Sequence, residues 1–130
     1  MQHQIISVNI VNETAALHDG SGTGVSSSPV VGEILAIDIN IGSEQTATLD
    51  ITIATNGNTG KAVTLYSKSN SATDVRVQPR VVVHDNGGTG VTYDGTSPIY
   101  DKYAVADHVT VTLAGADNES PACVCTIFYR

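Results

Sequence analysis

Apolar and polar residues alternate with a period of two through most of this chain, and this alternation strongly constrains the fold. Successive side chains of a β-strand point to opposite faces, so the pattern places the apolar residues on one face of a sheet. The abundant β-branched residues also favour strands. No segment with helical periodicity reaches three turns. The clearest alternations comprise Ile6, Val8 and Ile10; Leu35, Ile37, Ile39 and Ile41; Ala47, Leu49, Ile51 and Ile53; and Val109, Val111 and Leu113.

About eight short strands, roughly 10–15 residues apart, predict an all-β, antiparallel β-sandwich of jelly-roll or immunoglobulin-like type. The patterns at 35–41 and 47–53 flank a short turn, which predicts a hairpin. Segments rich in Gly and Asn at 56–60 and 86–90 predict further turns. Pro79 interrupts a valine alternation and cannot donate to a strand ladder, which indicates an edge strand or a bulge.

The N-terminal part of the chain is different in composition. Residues 12–29 are polar, contain glycine at alternate positions 20, 22 and 24, and end in three serines and Pro29. Such a segment predicts a long loop or a flexible arm that becomes ordered against a partner. We therefore expect residues 1–29 to form an N-terminal strand and arm, and residues 30–130 to form the β-sandwich domain.

The charge of the chain disfavours two classes of partner. Six Lys and Arg stand against 13 Asp and Glu among 130 residues, for a net charge of −7. Such a surface repels nucleic acid and anionic membranes.

The sequence lacks both an apolar run of about 18 residues and the pattern of a signal peptide, so we expect synthesis in a cytoplasm. Cys123 and Cys125 are then predicted to be reduced core residues, since their spacing on a strand is at or beyond the reach of a disulfide.

Candidate catalytic residues are few. His84 and Asp85 could supply part of a nucleophilic triad, but neighbouring strand residues point to opposite faces, and the sequence has no G-x-S-x-G elbow. His3 and His18 fall in the predicted arm, and His108 pairs with a neighbouring aspartate at the surface. We expect no catalytic residue, no cofactor and no metal ligand set. A structural calcium ion between loops stays open.

Two groups of residues are candidates for binding a partner. Arg76 and Arg80 lie four residues apart, on one face of a predicted strand, where they would form a basic patch for an acidic partner or simply cover a sheet face. Tyr93, Tyr100 and Tyr103 cluster in a loop-rich stretch. Tyrosines there suit an interface, or they could cover the open end of the sandwich.

Several of these motifs occur together in a known family. They are the run from Arg76 to Asp85 with its Pro-Arg and His-Asp pairs, the tetrapeptides at 93–96 and 100–103, and the strand at 109–113. On these motifs the segment 47–130 resembles small virion proteins of tailed bacteriophages.

The resemblance implies a non-enzymatic capsid decoration (cement) protein that binds the major capsid protein and stabilises the shell. It further implies a homo-oligomer, with a trimer favoured, on the capsid exterior of the virion after synthesis in the host cytoplasm. Two alternatives remain: a head-closure, tail or fibre-base component, and a carbohydrate-binding β-sandwich module.

Overall fold

The chain folds into strands where apolar and polar residues alternate. The computed structural model describes residues 1–58 and 61–130 and has strands but no helix in those ranges. Accordingly, the described residues contain no helix with the length and apolarity needed to cross a membrane. The all-β class is confirmed. The strands are β1 (Gln2–Ile10), β2 (Gly20–Val25), β3 (Val30–Ile41), β4 (Asp50–Thr55), β5 (Thr64–Lys68), β6 (Val75–Val77), β7 (Arg80–Val82), β8 (Tyr100–Lys102), β9 (Ala104–Asp107), β10 (Val109–Ala116) and β11 (Glu119–Tyr129).

Two antiparallel sheets contain most of these strands. The first has the order β1-β11-β3-β6, with β9 also paired to β3, and the second has the order β2-β10-β4-β5. β7 and β8 form a separate two-stranded sheet. β1 and β11 are far apart in sequence but pair closely, with Ile6 opposite Cys125 and Val8 opposite Cys123. This pairing makes β1 part of the sandwich, as the edge strand of the first sheet.

The core lies between the two sheets and is built from their alternating apolar side chains. Ile37 and Ile127 of the first sheet and Ile53 and Leu113 of the second have no exposed surface. Burying each such side chain stabilises the fold by about 1.5–3 kcal/mol. The alternation in the sequence therefore identifies most of the core-facing side of these strands, but Ala47 is exposed and Leu35 is only half-buried, with Ile34 buried beside it.

The predicted flexible arm is wrong for residues 20–25, which form β2 and pair with β10. Its alternate glycines face β1: a Cβ on Gly22 would lie 2.8 Å from Ile10 Cδ1, and one on Gly24 would lie 2.9 Å from Ile6 Cγ2. The missing side chains thus let the two strands approach closely. The predicted domain boundary at 29/30 falls between two strands of one sandwich.

Two other predictions about strand pairing are also wrong. The segments 35–41 and 47–53 do not form a hairpin, because β3 and β4 belong to different sheets. The valine run around Pro79 is not one strand: β6 ends at Val77 and pairs with β3, whereas β7 begins at Arg80 and pairs with β8. β6 is an edge strand, in agreement with the position of the proline. Of the predicted turn at 56–60, residues 59 and 60 lie outside the described residues.

Candidate functional site

The two arginines predicted to bind a partner lie on different strands of different sheets. Arg76 on β6 pairs with the carboxylate of Asp38, with its Nη2 atom 2.7 Å from Oδ2 and its Nε atom in contact with Oδ1. The guanidinium also lies 5.6 Å from the centre of the Phe128 ring. Arg80 on β7 donates a hydrogen bond to the carbonyl oxygen of Pro79. The predicted basic face of one strand is therefore absent, because the chain changes sheets at Pro79.

The pairing of Arg76 with Asp38 has an electrostatic consequence. The hydrogen bonds from Arg76 hold the pKa of the Asp38 carboxyl below its ordinary value. The charge of Arg76 is thus already compensated inside the protein by a carboxylate on the neighbouring strand. An acidic partner would have to compete with Asp38 for this guanidinium.

The predicted tyrosines divide between an exposed and a half-buried position. Residues 80–102, which we call the ribbon, run from β7 to β8, and none of them is buried. Tyr93 and Tyr100 lie in the ribbon and are 74% and 58% exposed. Tyr103 follows the ribbon and packs against the core. Two of the tyrosines are therefore exposed to solvent, and the third packs against the core.

Backbone hydrogen bonds give the ribbon a defined shape. Val83 N donates to Ile99 O at 2.8 Å, Ile99 N to Val91 O at 3.1 Å, and Val91 N to Val83 O at 2.8 Å. These three residues lie eight positions apart and close a ring of hydrogen bonds. The ribbon is thus three hydrogen-bonded segments connected by two tight turns.

Aspartates cap both turns of the ribbon. Asp85 Oδ1 accepts hydrogen bonds from the backbone N–H groups of Gly87 and Thr89. Asp94 accepts from the N–H groups of Thr96 and Ser97, and these bonds lower the pKa of its carboxyl to about 2. Asp85 is therefore occupied with its own turn, which supports a structural role for it beside His84.

The two cysteines lie side by side in β11, both free and buried, as the sequence predicts. Their Sγ atoms are 3.6 Å apart. The hydrogen bond between the Cys125 and Cys123 thiols and the burial of the group raise the pKa of Cys125. The pair fills the core beside β1 as small apolar side chains.

A cluster that the sequence analysis missed lies where the β1–β2 loop meets the β10–β11 turn. Glu13, His18 and Asp117 each offer a nitrogen or oxygen ligand atom, and these atoms lie within 4.8 Å of one another. The prediction had placed His18 in a solvated arm. The sequence carries little signal for this cluster, since Asp117 is about a hundred residues away from the other two.

Two surface hollows among the described residues are small. One, of about 150 Å³, lies beside Arg76 and Phe128, and another, of about 100 Å³, lies beside Thr55 and Asp107. Small-molecule sites typically occupy about 300–1,000 Å³. Neither of these two hollows reaches that volume.

Comparison with known proteins identifies no family: no family model matches the chain, and no curated protein matches it. Solved structures with some similarity are carbohydrate-binding modules. One is CBM32-3 from a family 31 glycoside hydrolase of Clostridium perfringens, at 13% identity and a TM-score of 0.42, covering 92% of this chain and 72% of that one.

Another is CBM32 of AlyQ in complex with 4,5-unsaturated mannuronic acid. It is 10% identical with a TM-score of 0.47, and the match covers 100% of this chain and 99% of that one. A family 29 module is 11% identical with a TM-score of 0.37, covering 98% and 77%. At such low identities and scores, the likeness assigns no function to this chain.

Proposed function

We propose that the protein is a non-catalytic binding protein that docks on a larger protein assembly through the ribbon. The observation that carries this proposal is the exposure of Tyr93 and Tyr100 on a segment with no buried residue. Tyrosine is enriched in protein interfaces and dominates many of them energetically. When a partner covers these two exposed tyrosine rings, apolar surface is removed from water, which stabilises the complex.

The internal order of the ribbon supports the same proposal. The hydrogen bonds among Val83, Val91 and Ile99 hold the ribbon in one shape, and the caps at Asp85 and Asp94 hold its turns. A segment that is ordered before it binds loses less conformational entropy on association than a disordered one. This ribbon, rather than the N-terminal arm predicted from the sequence, is the segment that would reach a partner.

The finer proposal is that the assembly is the capsid of a tailed bacteriophage. The motifs that resemble small virion proteins lie within residues 76–113, and three of them fall wholly or partly in the ribbon. In this proposal the chain binds the major capsid protein on the shell exterior as a homo-oligomer, with a trimer favoured. It then stabilises the shell by mass action, because it binds the assembled lattice better than free subunits.

Co-sedimentation tests this function directly. The purified chain is mixed with undecorated heads assembled from the capsid protein of the same genome, and we expect it to pellet with them. The double variant Tyr93→Ala/Tyr100→Ala should lose binding at least about tenfold. Ile5→Ala/Val25→Ala, which removes exposed apolar side chains outside the ribbon, is the matched control and should bind normally.

Two results would contradict the capsid proposal: a source genome without a capsid gene, and equal pelleting of the parent and double-variant chains. Binding in rings of six or twelve copies would instead indicate a head-closure or tail component.

Carbohydrate binding is the second candidate function, and the same two exposed rings favour it. Flat aromatic faces in water can stack against sugar rings, and the turn that follows Tyr93 carries the hydroxyl groups of Thr96 and Ser97, which donate to Asp94. A glycan array probed with the parent chain and with Tyr93→Ala/Tyr100→Ala separates the candidates. Binding to glycans that disappears in the variant, without binding to heads, supports this second function.

A further inference from the structure

Two connections meet at one end of the sandwich and bring Glu13, His18 and Asp117 together. Glu13 and His18 lie in the β1–β2 loop, and Asp117 lies in the β10–β11 turn. The ring Nδ1 atom of His18 contacts Asp117 Oδ1. Glu13 Oε1 accepts a hydrogen bond from His18 N at 3.3 Å, and Oε2 accepts one from Asn118 N at 3.0 Å. The three side chains thus present one nitrogen and several oxygen atoms to a common point.

The carboxylate of Asp117 is incompletely partnered. Asp117 is only 8% exposed, and its Oδ2 atom is buried without a hydrogen-bond partner. Oδ1 of the same carboxylate contacts His18, so the unpartnered oxygen lies on the same group as an atom of the cluster. Leaving a charged oxygen buried and unpaired is costly, and a bound cation is one of the ways that proteins compensate it.

We propose that Glu13, His18 and Asp117 bind a zinc ion. Imidazole nitrogen and carboxylate oxygen are ligands that zinc accepts, and three protein ligands leave a fourth position for water or a partner group. A tetrahedral zinc ion with ligands at about 2.0–2.2 Å holds its ligand atoms about 3.3–3.6 Å apart. The three ligand atoms here lie within 4.8 Å of one another, so small side-chain movements bring them to that spacing.

The surroundings hold two of the ligands in place. The side chain of Gln45 donates to Asp117 O at 2.8 Å and accepts from Asp117 N at 3.0 Å. Glu13 N donates to Asn118 Oδ1 at 3.0 Å, opposite the bond from Asn118 N to Glu13. Partners that orient the ligands of a metal typically raise metal affinity about 10–100-fold.

The ligand set distinguishes zinc from calcium. Calcium takes about six to eight oxygen ligands, whereas this cluster has a histidine and two carboxylates. His18 keeps 42% of its side-chain surface exposed, which leaves an entry path for the ion. The calcium site left open by the sequence is therefore not the site proposed here.

Isothermal titration of the EDTA-treated full chain with ZnCl₂ tests the proposal. We expect one ion per chain with a Kd below about 10 μM, and no saturable binding of CaCl₂ in that range. His18→Ala should weaken zinc binding at least about tenfold. His84→Ala, which removes an exposed histidine of the ribbon, should bind zinc like the parent chain.

Further readouts keep the test decisive. Because Asp117 is buried and its substitution could unfold the chain, Glu13→Gln is the second ligand variant, with its fold checked by circular dichroism. Co²⁺ should give the visible spectrum of a tetrahedral site in the parent chain and not in His18→Ala. The proposal is overturned if zinc fails to saturate the parent chain by about 1 mM, or if His18→Ala and Glu13→Gln both bind it unchanged.

Discussion

Arg76 lies directly opposite Asp38 in the register of β6 and β3, and its guanidinium binds both oxygens of that carboxylate. The pair occupies the outer face of the first sheet, where the same guanidinium lies over the ring of Phe128. A side chain that the sequence assigned to a partner thus has its charge matched within the sheet.

Substituting Arg76→Gln should raise the pKa of the Asp38 carboxyl towards its ordinary value of 3.8, since hydrogen bonds from Arg76 lower it in the folded chain. The pair contributes stability above about pH 3.8 and loses it as the pH falls through the lowered pKa. The variant should therefore lose less stability over this acidic range than the parent chain. Carboxyl ¹³C NMR titration measures the shift. Arg80→Gln is the control and should leave Asp38 unchanged, and an unchanged pKa in Arg76→Gln would count against the pairing.

The turn capped by Asp94 should resist acid down to about pH 2. The pKa of this carboxyl is lowered to about 2 by the N–H groups of Ser97 and Thr96, so its contribution is complete above pH 3.8 and is lost as the pH falls through about 2. Amide hydrogen exchange at Thr96 and Ser97 should accelerate only in that range. Asp94→Ala should accelerate it already at neutral pH. Protection that is already lost at pH 3.8 in the parent chain would contradict this assignment.

Gly32→Ala should strongly destabilise the sandwich. Gly32 has a φ of +132°, and a Cβ there would lie 2.2 Å from the carbonyl oxygen of Arg130. We expect a loss of about 3–4 kcal/mol, from the combined backbone strain and steric overlap. Gly95→Ala is the matched control: its φ is +88°, but a Cβ would have nothing within 4 Å. It should cost only about 1–2 kcal/mol. Urea unfolding midpoints compare the two, and equal losses would contradict the steric explanation.

Gln45→Ala should destabilise the end of the sandwich that carries Glu13, His18 and Asp117. Gln45 is buried and satisfies both the N–H and the C=O group of Asp117. Losing both bonds should cost about 2–4 kcal/mol, because the buried groups are left without partners. The free energy of urea unfolding measures this loss. Gln78→Ala, at an exposed glutamine, should change the stability by less than about 0.5 kcal/mol. If Gln45→Ala also lowered the free energy of unfolding by less than about 0.5 kcal/mol, other groups or water would have to replace the two hydrogen bonds to Asp117.

The sequence predicts which residues face the core but not which strands pair. Ile37 and Ile53 were both correctly expected to be buried, because period-two alternation is a local property of each strand. The hairpin predicted between β3 and β4 is wrong, because the alternation of apolar residues in each strand is compatible with pairing to several other strands. The glycines at 20, 22 and 24 also alternate, but glycine in a strand and glycine in a flexible linker look the same without the neighbouring strand.

The candidate sites likewise combine local features, which the sequence shows, with features that depend on the pairing of distant strands. The loop-rich surroundings of the tyrosines at 93 and 100 were predicted, since turn residues are a local signal, whereas the exposure of these two rings is a finding of the structure. The loss of the Arg76 and Arg80 face follows from a change of sheet at Pro79 that depends on the pairing of β6 with β3. The cluster of Glu13, His18 and Asp117 depends on contacts between opposite ends of the chain.

By itself, then, the sequence determined the all-β class, most of the inward faces of the strands, the net negative charge and the turn of the ribbon at 86–90. These properties depend on residues within a few positions of one another, where side-chain alternation and backbone preference act directly. Only the tertiary structure decided the partner of each strand, the inclusion of β2 in the sandwich and the meeting of Glu13 with Asp117. Those outcomes depend on packing between segments that are distant in sequence. The pattern of residues along the chain does not show which of those segments come into contact.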